Sequence, residues 1–247
     1  MAESSQNMIS FIIPTRNEEK VLKQLCENLR QYSGSCEIIV SDGNSTDQTL
    51  SIARQHADIV ITHEQAIRQN ISGGRNAGAK AAKGEYLIFI DADVTIPNID
   101  HTIQTIIDRF QKNSTIVGIT VKLAVLPECA TWADKLVYLY INASVVFFND
   151  WLHIGHAPGG EFQAIRSSAF KTLGGFDERL VAAEDIDMFR RLSKIGKTYF
   201  DRSVFVYHTA RRAHAIGWPK LLIQWSANAI SGWLFKRSVS KEWKVIR

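Results

Sequence analysis

The stretch Gly84-Glu85-Tyr86-Leu87-Ile88-Phe89-Ile90-Asp91-Ala92-Asp93 constrains the fold of this chain more than any other. Tyr86 to Ile90 are apolar without alternation. That is the pattern of a strand covered on both faces, as in a parallel sheet between layers of helices. The run ends abruptly in two carboxylates separated by one alanine. Ligands of open α/β sheets collect at the carboxyl ends of the strands. Paired carboxylates there offer hard oxygens to a divalent cation. An isolated Asp-x-Asp is more often a solvated turn or a helix cap, here ahead of Pro97, so the metal expectation depends on its surroundings.

Those surroundings alternate strand with helix. Strands are expected over 9–13, 37–40, 58–62 and 86–90. Between them come helices over 18–32, from Asp47 to about His56, and from Gly73 to Lys83, each with apolar residues at helical spacing or an N-terminal cap signal. This rhythm predicts a doubly wound, mostly parallel sheet with right-handed crossovers. After Asp93 it loosens. A helix is expected over 99–110, a strand over 116–126 and a strongly apolar helix over 132–148. A loop over 149–160 holds His153, His156 and Gly159-Gly160. Then come a strand at 161–166, a short helix at 167–173, a turn at Gly174-Gly175-Phe176-Asp177 and a helix from Ala183 to about Ile195. Short strands at 198–200 and 204–208 precede a basic tail. No internal repeat or linker divides the chain.

With 247 residues, 45% hydrophobic and 22% charged, the chain can bury the core of one globular domain. Cys26, Cys36 and Cys129 form no Cys-x-x-Cys and are odd in number, so reduced thiols and a cytoplasmic setting are expected. The first seven residues show no signal-peptide pattern. The apolar run 136–148 is interrupted by Asn142 and Ser144 and is too short to span a bilayer, which takes about 20 residues. The net charge of +4 is uneven. From Ala210 on stand Arg211, Arg212, Lys220, Lys236, Arg237, Lys241, Lys244 and Arg247 against the single acid Glu242. Such a tail suits a diphosphate, an acidic lipid surface or a nucleic acid, and equally a solvated helix face.

Six short motifs then occur in one order: Pro14-Thr15-Arg16-Asn17-Glu18-Glu19, Asp42-Gly43-Asn44-Ser45-Thr46-Asp47, Gly74-Arg75-Asn76-Ala77-Gly78, Asp91-Ala92-Asp93, Gly174-Gly175-Phe176-Asp177 and Glu184-Asp185. Each is weak alone; together, at this spacing, the chain from Ser10 to Leu192 resembles the family-2 nucleotide-sugar glycosyltransferases of the GT-A fold. The resemblance implies one GT-A-type α/β domain over 1–217. Its nucleotide-binding half covers about 8–95 and its acceptor half 96–217, and an amphipathic basic helical tail covers 218–247.

The chemistry follows by residue. The first two strand ends would form the base pocket with Pro14, Arg16, Glu18 and Asp42. The resemblance implies that Asp42 accepts from a pyrimidine imide N–H, and it tips Glu18 away from an ordinary surface pair with Arg16. Turn and cap duty is the alternative for Asp42, and the favoured one for Asp47. Gly73, Gly74 and Arg75 stand where backbone amides, a helix dipole and a guanidinium fork suit a diphosphate. Asp93 would hold Mg²⁺ or Mn²⁺, Asp91 the ribose or the metal shell, and His208 lies where relatives sometimes place a further ligand; a core or surface histidine fits it as well. Glu184-Asp185 resembles the family's acidic pair, which implies Asp185 as general base, an inverting transfer, and Glu184 beside it as cap or second acid.

The chain departs from the family pattern at Ser41 and Asn44, which bears on nucleotide choice. It lacks the Gln-x-x-Arg-Trp motif and flanking spans of processive synthases, so single sugar addition is expected. The donor expected is a UDP- or GDP-sugar, and the acceptor a glycan or a lipid-linked group. No nucleic acid is expected, and the tail would contact the inner face of the cell membrane. A Rossmann dehydrogenase is excluded because Pro14 to Glu18 replace a glycine fingerprint. A sugar nucleotidyltransferase would need a glycine-rich first loop. A non-catalytic nucleotide-sugar or glycan-binding protein is the remaining alternative.

Overall fold

The computed structural model describes residues 7–63, 69–157 and 159–240. The start of the chain, 1–6, and the end of the tail, with Lys241, Glu242, Lys244 and Arg247, lie outside the described residues. One sheet of seven strands organises the rest: β1 (Ile9–Thr15), β2 (Cys36–Asp42), β3 (Ile59–Thr62), β4 (Tyr86–Ile90), β5 (Ile116–Val125), β6 (Phe162–Arg166) and β7 (Lys197–His208), in the order β3-β2-β1-β4-β6-β5-β7. The strands β1 to β4 are mutually parallel, and β7 runs parallel to β5. Only β6 is antiparallel, to both β4 and β5. The sheet is thus mixed but mostly parallel. Every side chain of β4 is buried, as an unbroken apolar run requires.

The antiparallel insertion decides the site. Ile90 pairs with Phe162, so the next residues outward, Asp91 and Glu161, end up side by side, with the Asp91 amide donating to the Glu161 carbonyl at 3.3 Å. Two carboxylates that are 70 residues apart in sequence thereby share one sheet end.

Helices cover both faces: α1 (Leu22–Leu29), α2 (Thr49–His56), α3 (Ile71–Ala81), α4 (Ile99–Lys112), α5 (Trp132–Val146), α6 (Ser167–Thr172), α7 (Glu184–Leu192), α8 (Arg211–Ile216) and α9 (Trp218–Phe235). One core, with Phe11, Ile88, Ile103 and Phe110, lies under α1 and α4, and a smaller one, with Phe89, Phe170, Phe176 and Phe189, lies on the opposite face. Gly78 lets α3 lie close on β1; a Cβ there would meet Ile12 Cγ2 at 2.4 Å.

Several elements differ from expectation, and the tail gains a defined place. The first helix begins at Leu22 rather than 18, because Glu18 is held apart by Thr49 Oγ1 on its amide. The two short strands near 198 and 204 form one strand, β7, whose register jumps between the Val121–Asp201 and Lys122–Phe205 pairs. The apolar helix ends at Val146 and continues as a π turn, Phe147–Trp151. The tail is docked along one side: Trp218 and Leu221 join the larger core, and Ser238 binds the amides of Val181 and Ala182.

Candidate active site

At the carboxyl ends of β1 and β4 opens a cleft of about 1140 Å³. Its floor is built around Arg75. The first turns of α3 deliver this guanidinium into a fully buried position, where Nη1 meets Glu184 at 2.8 Å, Nη2 meets Asp91 at 3.0 Å, and Nη2 also donates to Gly160 O at 2.9 Å. Phe176 lies under its plane, 5.3 Å from ring centroid to Cζ. A Cβ on Gly160 would come within 2.4 Å of Nη2, so glycine permits that contact. Arg75 is expected from the sequence to face a diphosphate; in the structure its Nη1 and Nη2 go to two carboxylates and a carbonyl, and its buried Nε has no partner among the described residues. Asp91 and Glu184 are both pushed up by burial in spite of this cation, with Asp185 adding to the rise at Glu184.

The glycine loop also differs from expectation. Asn70 is the N-cap of α3, and its side chain accepts from Gly73 N at 2.8 Å. The Gly74 amide bonds to Asn70 O at 3.0 Å. Neither glycine amide is left for an anion. The helix starts earlier because asparagine is a strong cap. Gly74 instead lines the cleft beside Pro14, whose Cβ is 3.3 Å from where a glycine Cβ would stand. Asn76 exchanges two hydrogen bonds with the Phe176 backbone, so the third and fifth sequence motifs form one contact in space.

Asp185 follows Glu184 at the start of α7 and lines the same cleft. Ala183 launches it from the left-handed region, φ 65°, which is unusual for alanine. Asp185 accepts from the Ile186 amide at 2.8 Å, and no side chain of the described residues is bonded to it. Burial raises its pKa.

Across the cleft, α8 presents Arg211 from a second left-handed alanine, Ala210 at φ 51°. Arg211 meets both Glu18 oxygens, at 2.7 and 2.8 Å, and reaches Asp93 at 3.3 Å. Thr209 also donates its hydroxyl to Asp93. His208 is buried, and burial lowers its pKa to about 4. Its Nδ1 accepts the Ala210 amide at 3.2 Å, while the buried Nε2 has no partner among the described residues.

Among the described residues, no three His, Cys, Asp or Glu side chains converge as a cage for a metal ion. The donor set still fits an ion of the Mg²⁺ or Mn²⁺ type, which takes one or two carboxylates and completes its shell with substrate phosphates and water. Asp93 supplies a cleft-lining carboxylate; His208, with Nδ1 accepting the Ala210 amide, carries its proton on Nε2 and so offers the site a hydrogen-bond donor and not a lone pair.

Pro14, Arg16 and Glu18 line the cleft with Ser41 and Gly43. Asp42 does not face it as directly: its carboxylate accepts the Ser45 amide at 2.9 Å and the Ser45 hydroxyl. Asp47 caps in two directions, to Thr49 N at 2.9 Å and Glu19 N at 3.3 Å.

Sequence reasoning missed Glu161. It lines the floor beside Asp91, its buried Oε2 has no partner, and burial with the nearby Asp91 pushes it up to about 8. The acid is therefore held protonated well above the range in which an ordinary carboxyl ionises. Its one sequence signal was a carboxylate after Gly159-Gly160 at the start of an expected strand; that the strand runs back against β4 was not legible.

A model of the family described as glycosyl transferase family 2 matches residues 10–174. The 4,4'-diaponeurosporenoate glycosyltransferase of Staphylococcus haemolyticus is 38% identical over 114 residues, which is 44% of this chain and 30% of that protein. The succinoglycan biosynthesis protein ExoA of Rhizobium meliloti is 27% identical over 221 residues, 84% of this chain and 65% of that one. The chain thus spans less than two thirds of either relative. The solved mannosyltransferase of Pyrobaculum calidifontis, in complex with GDP-Man and Mn²⁺, superposes with a TM-score of 0.65 at 20% identity, covering 90% of this chain and 64% of that one. The fold is of that GT-A type.

Proposed function

Because the chain belongs to glycosyl transferase family 2, we propose that it moves one sugar from a UDP- or GDP-sugar to an acceptor hydroxyl or lipid phosphate, inverting the anomeric carbon. The observation that carries this reading is the state of the floor carboxylates. Asp91 and Glu184 are bonded to Arg75, Asp93 and Glu18 to Arg211, and burial pushes Glu161 up to about 8. Among the described carboxylates that line the cleft, Asp187 is paired with Arg190, Arg191 and Lys236, while Asp185 has no side-chain partner and Glu161 keeps an unpartnered Oε2. With Glu161 held up to about 8, Asp185 is the group assigned to take the proton.

In the transfer, the acceptor oxygen attacks C1 of the sugar as the bond from C1 to the diphosphate breaks. The acceptor proton passes to an Asp185 oxygen. A general base of this kind contributes about 10²–10⁴-fold. Pro14, Arg16 and Glu18 would border the nucleoside, with Asp42 behind them. Asp93 would hold a Mg²⁺ or Mn²⁺ ion, supported by Asp91; His208, whose Nδ1 accepts the Ala210 amide, would offer its Nε2–H to the diphosphate and would ligate the ion only if that amide bond were given up. Bound there, the ion supplies charge neutralisation for the departing nucleoside diphosphate. The acceptor belongs to a glycan or a lipid-linked group, and the setting is cytoplasmic, with the tail against the inner face of a membrane.

A panel of nucleotide sugars, read by nucleoside diphosphate release with and without Mn²⁺, tests the reading. Release dependent on donor, metal and Asp185 supports it. Tight donor binding with no release under any condition would make the protein a nucleotide-sugar-binding module instead.

A further inference from the structure

The helix α5 is apolar on the side that faces away from the sheet. Trp132, Leu136, Leu139, Tyr140 and Phe147 are exposed and recur at helical spacing, while Asp134, Tyr138, Ile141 and Val145 face inward. Trp151, 76% exposed, and Leu152 extend this surface through the π turn. The helix α9 repeats the pattern: Trp218, Leu221, Asn228 and Gly232 are buried, and Ile223, Ile230, Trp233 and Leu234 are exposed. An outward apolar stripe on one helix is ordinary; two flanking one cleft are not.

Four residues tie these faces to the site. Tyr140 and Ile154 on one side, and Ile230 and Trp233 on the other, line the cleft and yet are 70, 43, 57 and 64% exposed. They form its mouth. An acceptor that reaches Asp185 between them passes an apolar rim before it meets a carboxylate floor.

Charge selects among the possible occupants of these faces. Residues 218–240 contain Lys220, Lys236 and Arg237 and no acid; Lys236 is paired with the buried Asp187 at 2.8 Å, which leaves Lys220 and Arg237, and Lys135 is the one charged residue exposed on α5. Asp134 is turned inward, to the Trp218 indole at 2.7 Å and to His214 at 2.9 Å. Asp150, at the π turn, is paired with Arg202. A second copy of this chain would bring like charge against like. An anionic bilayer surface complements the faces in both respects, with tryptophans at headgroup depth and lysines outward. Among the described residues, no helix is long and apolar enough to cross a membrane.

We propose that the outer faces of α5 and α9 rest on an anionic bilayer, and that the acceptor is a lipid whose polar head enters the cleft from that bilayer through the apolar mouth. The acceptor half of this statement rests on the transferase reading above; the membrane half does not.

The test uses the full chain with vesicles of phosphatidylcholine alone or mixed with phosphatidylglycerol. Co-sedimentation at low salt is expected only with the anionic mixture. The triple variant Trp132→Ser, Trp151→Ser, Ile223→Ser changes exposed positions outside the cleft lining. It is expected to lower the vesicle partition constant about tenfold, the loss of roughly 1.4 kcal/mol, with an unchanged melting temperature. Donor turnover should rise when a long-chain alcohol is added to the vesicles and not when a short water-soluble one is added. A full chain that stays in the supernatant with anionic vesicles, a triple variant that sediments as before, or a chain that pairs with itself instead overturns the membrane platform. Equal turnover with both alcohols overturns the lipid acceptor. Absence of nucleoside diphosphate release with every donor defeats the transferase reading, and sedimentation still reports on the platform.

Discussion

Two arginines face each other across the cleft, and each bridges two carboxylates from distant parts of the chain. Arg75 is wholly buried; Arg211 keeps 24% of its side chain exposed. Arg75 joins the end of β4 to the start of α7, with Phe176 beneath it and Gly160 closing the side. Arg211 joins the first strand's loop, through Glu18, to Asp93, from a short helix near the surface. The difference in burial assigns the roles. A buried cation among carboxylates cannot leave without stranding their charge. A cation that keeps contact with solvent can be exchanged for water, a metal ion or a diphosphate at lower cost, provided that the buried Glu18 finds another partner. Arg75 is read as the fixed floor and Arg211 as the movable wall, which gives way to or turns onto the donor.

Substitutions can break this contrast. The largest effect is expected at the residue that the Arg75 network leaves free: Asp185→Asn should lower kcat about 10²–10⁴-fold with little change in melting temperature. Near-normal turnover would move the base to another carboxylate, Glu184 first. Next, Arg75→Met should cost about 3–5 kcal/mol of stability, the usual price of breaking a buried pair from one side, measured by denaturant unfolding. If it melts like the parent, the floor is not fixed.

The junction that carries α9 gives a smaller effect with a definite pH signature. Burial of Asp134 alone would raise its pKa, but hydrogen bonds from Thr131, His214 and Trp218 hold it down to about 2. The folded value lies below the unfolded one, so its stabilisation is full above about pH 4 and disappears as pH falls through about 2. Asp134→Asn should therefore cost about 2 kcal/mol at pH 7 and almost nothing near pH 2, read from paired unfolding curves.

Glu161 has the opposite sign. Its folded value, about 8, lies above the usual carboxyl range, so its burial costs nothing at low pH and progressively more as pH rises toward 8. With metal chelated, Glu161→Gln should flatten the loss of stability between about pH 5 and 8. An identical slope in both proteins would mean that Glu161 is ionised in the folded state. A smaller loss of stability than at Arg75 is expected from Arg211→Met, because solvent reaches its 24% exposed side chain and can screen the carboxylates left behind, together with a shift in donor KM. A loss equal to that of Arg75→Met would erase the distinction between wall and floor.

Much of this was legible in order of sequence. The run Tyr86 to Ile90 could only be a strand buried on both faces, and it is. The alternation before it yielded the parallel half, because local hydrophobic period and cap residues act over a few positions and are written there. The acidic pair before α7 and the carboxylates after β4 were visible for the same reason. Pairings were not visible. Arg75 has the sequence context of a phosphate ligand, yet Asn70 starts the helix early and turns its guanidinium toward Glu184, 109 residues away.

The apolar stretch over 132–148 explains the limit best. From sequence it was at least as well a core helix as a surface one, since composition cannot say which side of a helix meets another element. Docking of Tyr138 against His208 and Trp218 fixed one face inward and left Trp132, Leu139 and Tyr140 outward. Glu161 followed the same rule: its place beside Asp91 depends on β6 entering antiparallel between β4 and β5, a choice made by the whole sheet. By itself the sequence determined the strands, the helices, the family and the ends at which chemistry gathers, because those rest on neighbours along the chain. Tertiary structure alone decided which charges neutralise one another, which carboxylate stays free and which apolar faces remain uncovered, because each is a balance of burial and Coulomb energy between residues brought together only by folding.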